Sequence, residues 1–295
     1  MVDKINRERM AANYGFALAF MRSNDELWHL FNKAVRGTWD ANRFVAGLRN
    51  TKWFKHHSSS VRNAILQQTS DPATYQANVD SMFATVKDAY GKMFGTANMD
   101  HKDLRRWAET GYRMGWSEAQ LVDHITKGIN YRKLLKNGEL GGSAAEVEGQ
   151  LNSLIENFGL NNGTNWKAHQ LEKLMEGNDT IAGVQNRVRE QAKREYGAFA
   201  DQIDAGSTVA DIAAPYKQMM SDLLELNPNE VDIRDKMIQR GLRQTTPKGK
   251  PAALSMTDFA DMVRQDHRWQ YTDNAREQVT SLTKNLLDSF GLTAS

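Results

Sequence analysis

The sequence predicts an all-α, multi-helix fold, with helical-hairpin units packed into two or three subdomains. Three observations carry this expectation. Only 5 prolines occur in 295 residues. Ala, Leu, Met, Lys, Gln and Glu recur at three- and four-residue spacing, the period of a helix face. Runs of β-branched residues are nearly absent, and no pair of strands is visible. The expected division is an N-terminal helical domain over 1–95, a middle one over 96–175, and a C-terminal one over 176–295 carrying a long amphipathic helix.

Taken in order, the periodicity predicts helices over about 5–22, 25–35, 40–50, 58–68, 72–94, 100–114, 117–129, 144–158, 166–175, 178–204, 207–225, 231–243, 256–266 and 273–290. Asp40, Ser117, Ser143 and Thr272 each precede an amphipathic run, where a short polar side chain can accept a free backbone N–H. Ser117 with Gln120, and Ser143 with Glu146, have capping-box spacing. Phe94-Gly95, Phe158-Gly159 and Phe290-Gly291 read as stops, with a glycine free to turn left-handed and an aromatic residue pinning the last turn. Along the long helix, Val184, Val188, Ala192, Tyr196, Phe199 and Ile203 fall on one face, opposite Arg187, Arg189, Arg194 and Glu195. Asn227-Pro228-Asn229 is a turn, and the stretch from Arg243 to Ser255 reads as a loop, with a hinge at Pro247 to Pro251.

A degenerate unit recurs over about 38–95, 116–160 and 255–292. In each, a capped helix carries two apolar residues one turn apart: Phe44 and Leu48, Leu121 and Ile125, Phe259 and Val263. An aromatic residue follows (Trp53, Tyr131, Trp269), and a second capped helix runs to Phe-Gly. Such a hairpin must bury its stripe against a neighbour. The linkers are unequal and few positions match, so chance similarity among helix-loop-helix segments is the competing reading.

Composition narrows the function. The formal net charge is +2 from 38 basic and 36 acidic residues, which demands no nucleic acid or anionic membrane as partner. With no cysteine, disulfides, thiolate zinc sites and thiol catalysis are excluded. The apolar run from Tyr14 to Met21 is too short to span a bilayer, and Asp3 and Glu8 fit a signal sequence poorly, so a soluble protein without stable membrane insertion or an export signal is expected.

Chemical motifs are missing. No phosphate loop, G-x-G-x-x-G, H-E-x-x-H or G-x-S-x-G occurs. His56 and His57 are adjacent and suit a metal badly, His101 with Asp100 and Asp103 reads as a polar first helical turn, and Asn227, Asn229, Asp232 and Asp235 do not match a calcium loop. Carboxylate pairs such as Glu146 and Glu148 lack the apolar pocket that raises a general acid's pKa. The expectation is a non-enzymatic chain with no catalytic residue, cofactor or metal. Basic residues sit near aromatic ones at Arg105, Arg106 and Trp107, and at Tyr131, Arg132, Lys133 and Lys136. Such clusters can grip phosphates or form the wet rim of a hairpin. Arg243, Lys248 and Lys250 are the candidate nucleic-acid contacts, because their loop has freedom to mould to a partner.

The run YGFALAFMRSNDELWHLFNKAVRGTWDANRFVAGLRNTKWFKHHSSSVRN, the stretch DQIDAGSTVADIAAPYKQMMSDLLELNPNEVDIRDKMIQRGLRQ, and the following MTDFADMVRQDHRWQYTDNAREQVTSLTKNLLDSFG resemble helix-rich virion structural proteins of tailed bacteriophages, especially those of actinobacteria. The resemblance spans nearly the whole chain. It implies a non-enzymatic minor tail or internal virion protein, made in the host cytoplasm and assembled with other virion proteins and with copies of itself. Alternatives are a DNA-contacting protein inside the capsid or at the portal, and an accessory module of a cell-wall-degrading tail machine. The Glu-Ser pair and G-L-M-Q run of the transglycosylase domains that accompany some relatives are absent. Trp28, Trp39, Phe44, Trp53, Trp116, Tyr131, Trp269 and Phe290 are the expected structural or interface anchors, since aromatic residues and the 13 methionines suit protein interfaces.

Overall fold

The structure, a computed structural model, describes residues 2–96 and 100–290. Eighteen α-helices occur among the described residues, and the chain is all-α apart from one two-stranded ribbon. It divides into two compact units, residues 1–146 and 147–295, with the boundary inside one helix.

The first unit holds α1 (Val2–Asn13), α2 (Leu18–Arg22), α3 (Asp25–Arg36), α4 (Ala41–Asn50), α5 (Lys52–His56), α6 (Ser59–Ser70), α7 (Pro72–Phe94), α8 (His101–Met114), α9 (Glu118–Gly128) and α10 (Tyr131–Asn137). The single helix expected over 5–22 is two, because Gly15 turns the chain with φ +80° between α1 and α2. That turn folds Tyr14 and Phe20 into one aromatic core with Phe31, Phe44 and Trp53. Tyr14 stacks on Phe44 at 4.4 Å between ring centroids, and its hydroxyl donates to the carbonyl of Trp39 at 2.9 Å. Further along, α7 makes its most extensive packing with α8, across the division expected at 95/96.

The second unit follows from α11 (Gly142–Asn157), which straddles the boundary, through α12 (Thr164–Met175), α13 (Ile181–Glu195), α14 (Ala200–Asp204), α15 (Val209–Leu224), α16 (Lys236–Leu242), α17 (Met256–Arg264) and α18 (Asp273–Ser289). Ser143 lies inside α11 and is not its cap. The reason is steric. Gly142 opens the helix with φ +52°, and a Cβ there would sit 2.2 Å from the carbonyl oxygen of Lys92, so the glycines and not the serine set the start. The long helix expected over 178–204 breaks at Tyr196 (φ −116°, ψ 49°), where the buried ring leaves the helical path and a 3-10 turn, Gly197–Phe199, leads into α14. Of the predicted apolar face, Val184, Val188, Ala192, Tyr196 and Ile203 are buried, and Phe199, in the 3-10 turn, is half-buried.

The loop expected over 243–255 contains the ribbon, β1 (Gln244–Thr245) paired antiparallel with β2 (Pro251–Ala252). Its tip is closed by the N–H of Thr246 to the carbonyl of Lys250 at 2.8 Å, with Gly249 at φ +75°. Pro251 lies against Gly197, where a Cβ would meet its ring at 2.8 Å. The segment is thereby a short hairpin held against the rest of its unit.

The repeated unit is visible as local structure. Its six paired apolar residues are all at most 4% exposed. Each following aromatic residue belongs to a short helical piece: Trp53 to α5, Tyr131 to α10, and Trp269 to the 3-10 turn Trp269–Tyr271. Asp40, Ser117 and Thr272 accept the backbone N–H three residues on, and Ser117 with Gln120 completes a capping box. Gly95 and Gly159 have positive φ beside buried Phe94 and Phe158. Phe290 is 75% exposed, and Gly291 lies outside the described residues.

Candidate interaction surface

The expected anchors fall into two groups. Phe44, Trp53 and Tyr131 are buried, and the Tyr131 hydroxyl donates to the carbonyl of Thr126 at 3.1 Å. Trp28, Trp39, Trp116 and Trp269 are half-buried. Trp28 stacks on Phe31 beneath the guanidinium of Arg22, Trp39 lies under Arg43 at 4.7 Å, and Trp116 stacks on His124 at 3.9 Å. Phe290 is the exception, and it belongs to an apolar row that the sequence reading did not single out.

That row lies on α18. Along this helix only Ala275, in the first turn, is buried, whereas Val279, Leu282, Leu286 and Phe290 are 61%, 54%, 57% and 75% exposed. Spacings of three, four and four residues place them on one stripe. The 3-10 turn Trp269–Tyr271 is the main neighbour of the helix.

The base of α18 is firmly held. Thr272 caps it by accepting the N–H of Ala275 at 3.1 Å. Both carboxylate oxygens of Glu225, the residue closing α15, accept backbone N–H groups of its first turn, from Asn274 at 2.8 Å and Asp273 at 3.0 Å. The Asn274 side chain donates to the carbonyl of Asp222 at 2.9 Å. These backbone donors stabilise the charged carboxylate, so the pKa of Glu225 is lowered. Just before the 3-10 turn, Asp266 accepts three bonds from Arg268, from its backbone N–H, Nε and Nη2 at 2.9 to 3.0 Å. That fork holds the Asp266 pKa down to about 2. Anchoring is therefore concentrated in one turn.

The candidate nucleic-acid contacts separate. Arg243 pairs with Glu195 and lies over the ring of Tyr196 at 4.6 Å, so its charge is engaged inside the unit. Lys248 and Lys250 are exposed at the ribbon tip. Arg105 is likewise engaged, with Asp80 at 2.7 Å. His56 ends α5 and is exposed, whereas Nδ1–H of His57 donates to the carbonyl of Trp53 at 2.7 Å. Among the described residues, no three His, Asp or Glu side chains are grouped to hold a metal.

In the first unit a cleft of about 640 Å³ is lined by Tyr90, Asp100, His101, Asp103, Trp107, Lys133 and Glu139, among others. Its walls come from the start of α8 and from α10 with the turn that precedes it. Asp100 is already spent as the cap of α8, accepting the N–H of Lys102 at 2.8 Å. No residue of the cleft carries an unpartnered buried side-chain polar atom. No helix among the described residues is long and apolar enough to cross a membrane.

Comparison of the chain with protein-family models, with curated proteins and with solved structures found no match. The all-α, multi-helix architecture is therefore characterised from this chain itself, and its most prominent unoccupied feature is the apolar stripe of α18.

Proposed function

We propose that this chain is a non-enzymatic structural component of a tailed-bacteriophage particle, a minor tail or internal virion protein that works by assembling with other chains. The observation that carries the assembly role is the stripe of α18, where four large apolar side chains stand in water on a helix anchored at its base. Exposed apolar groups contiguous along one face mark a contact surface more often than they mark chemistry. The virion assignment rests on the resemblance of the three quoted stretches to helix-rich virion proteins. The non-enzymatic part of the reading rests on the sequence, which carries none of the common phosphate-loop, dinucleotide, zinc-protease or hydrolase motifs.

The test is mass spectrometry of purified particles, with immunogold labelling of intact particles and of particles that have ejected their DNA. Peptides of the chain in the particle, with label on the intact tail, support a tail component. Label only after disruption supports an interior position. A chain absent from particles by both methods overturns the proposal.

A further inference from the structure

We infer that α18 is a self-association arm, and that the occupant of its stripe is the same helix of a second copy of this chain. The inference deepens the assembly role proposed above. Val279, Leu282 and Leu286 repeat at four- and three-residue spacing, the a/d spacing of a two-stranded coiled-coil seam, and Phe290 extends the row by one turn. Such a seam is narrow and fits another helix. A globular groove, by contrast, takes a broader apolar face.

Three features select a second copy as that helix. The first is charge. Gln278, Thr283 and Asn285, which border the stripe, are uncharged, so two identical stripes meet without like charges in register. Arg276, at the base, is already paired with Asp273 at 2.9 Å. Glu277, Lys284 and Asp288 lie away from the stripe. The polar side also argues against a lipid surface: Asp273, Glu277 and Asp288 outnumber Arg276 and Lys284, whereas helices that lie on anionic membranes are rich in Lys and Arg.

Area is the second feature. At their observed exposures the four residues leave roughly 500 Å² of mostly apolar surface in water per copy, so pairing two stripes removes at most about 1,000 Å², which reaches the lower limit for a specific interface. One stripe is thus complementary in size to another, and the contact is weak enough to depend on concentration. The third feature is helix stability. Beyond its pinned first turn, α18 is a solvated helix, and single helices of this length are marginal in water. Pairing supplies the burial that the chain's own core does not give it.

Sedimentation velocity of the full chain over a roughly hundredfold range of concentration tests this. The expected result is a monomer that shifts to a dimer as concentration rises, and a Leu282→Asp/Leu286→Asp variant that stays monomeric and keeps the parent's thermal transition at concentrations where the parent is monomeric, because both positions are exposed. Since the chain has no cysteine, a single Leu282→Cys also permits crosslinking with a short bismaleimide. Efficient dimer capture from Leu282→Cys, and little from Glu277→Cys on the other side of the helix, is expected. A monomer at every concentration overturns the inference, as does a dimer that survives the double substitution or equal capture from both cysteines. Failure here leaves the virion assignment intact, because that is decided separately by the contents of the particle.

Discussion

Glu225 accepts the backbone N–H of Asn274 at 2.8 Å across 49 positions of sequence. The same arrangement occurs in the first unit, where Glu26 accepts the N–H groups of Lys52 at 2.9 Å and Trp53 at 2.8 Å, at the start of α5. In both places a carboxylate borrowed from elsewhere in the chain satisfies donors that a helix start leaves free and complements its dipole. Each holds in place a piece that carries an anchor residue: Trp53 in one case, the α18 stripe in the other.

The first prediction concerns that anchor. Glu225→Ala removes both acceptors, and the expected outcome is faster amide exchange at residues 273–277 with little change in α15. The pH dependence has a definite sign. The folded pKa of Glu225 lies below its ordinary value, so its contribution is complete above the ordinary glutamate range and is lost as pH falls through the depressed value. Exchange in the first turn of α18 should therefore accelerate on acidification in the parent and be insensitive to pH, after correction for intrinsic rates, in the variant. Equal protection in the two proteins would show that Thr272 and the Asn274 side chain fix the helix without Glu225.

A second prediction uses a contact between backbones. Gly141 donates its N–H to the carbonyl of Phe94 at 3.0 Å, and a Cβ on Gly95 would lie 2.9 Å from the Cα of Gly141. Gly142→Ala places a methyl group against the Lys92 carbonyl at a positive φ, and should cost about 2–3 kcal/mol. Gly149→Ala, in the same helix α11 with open space around it, should stabilise by about 0.5–1 kcal/mol. Chemical denaturation of the two variants gives opposite shifts if the close approach is real.

Much of this fold is legible in the sequence, and the parts that are not share a cause. Helix period, caps at Asp40, Ser117 and Thr272, and the pairs Phe44/Leu48, Leu121/Ile125 and Phe259/Val263 are local signals, and local hydrogen bonding and burial express them directly. Ser143 carries an equally good local signal, yet it is overridden because Gly142 must abut the end of α7. The break at Tyr196 is tertiary too: its hydroxyl donates to the carbonyl of Gly159 at 2.7 Å, a partner 37 positions away. The ribbon escapes notice because two residues per strand leave no alternation to read.

The interaction surface is legible only in part. Phe290 stands out as an aromatic residue before glycine, and that context reads as a helix stop. Spacing alone cannot tell the stripe of α18 from a core stripe, because Leu282 and Leu286 have the same four-residue spacing as Phe44 and Leu48. Exposure separates them. Likewise, Arg243 reads as a loop cation until its pairing with Glu195 and its position over Tyr196 are seen.

Tyr196 supports a third prediction. It is fully buried, its hydroxyl bonds both Gly159 and Gln239, and burial pushes its pKa up. Tyr196→Phe keeps the ring but leaves the buried Gly159 carbonyl and the half-buried Gln239 side chain each short of a bond, at a cost of about 2 kcal/mol. Tyr196→Ala also opens a cavity and should cost about 3–5 kcal/mol. If Tyr196→Phe unfolds at the parental denaturant concentration, the hydroxyl network contributes nothing and the ring alone matters.

Acid stability gives a fourth. With its folded pKa near 2, Asp266 binds its proton more weakly in the native state than in the unfolded chain, where the usual value is about 3.9. Its stabilising effect is complete above that unfolded value and is lost as pH falls from about 4 towards 2. Asp266→Asn should lower stability by about 1–2 kcal/mol at pH 6 and flatten the decline between those pH values. An acid transition with the same slope in both proteins would place the sensitive carboxylates elsewhere.

The last prediction separates structural from ligand-facing cations. Arg243→Gln removes both the pairing with Glu195 and the contact over Tyr196, and should destabilise by about 1 kcal/mol. Lys248→Gln/Lys250→Gln changes only exposed charges at the ribbon tip, and should leave stability within about 0.5 kcal/mol. Retention of the lysine variant on double-stranded DNA, followed over a salt series, is expected to match the parent, because two lysines on a chain of net charge +2 make a poor phosphate grip. A parent that binds DNA with a steep salt dependence, weakened in the lysine variant, would favour DNA contact over the assembly role proposed above. In that case the ribbon, and not α18, would be its working surface.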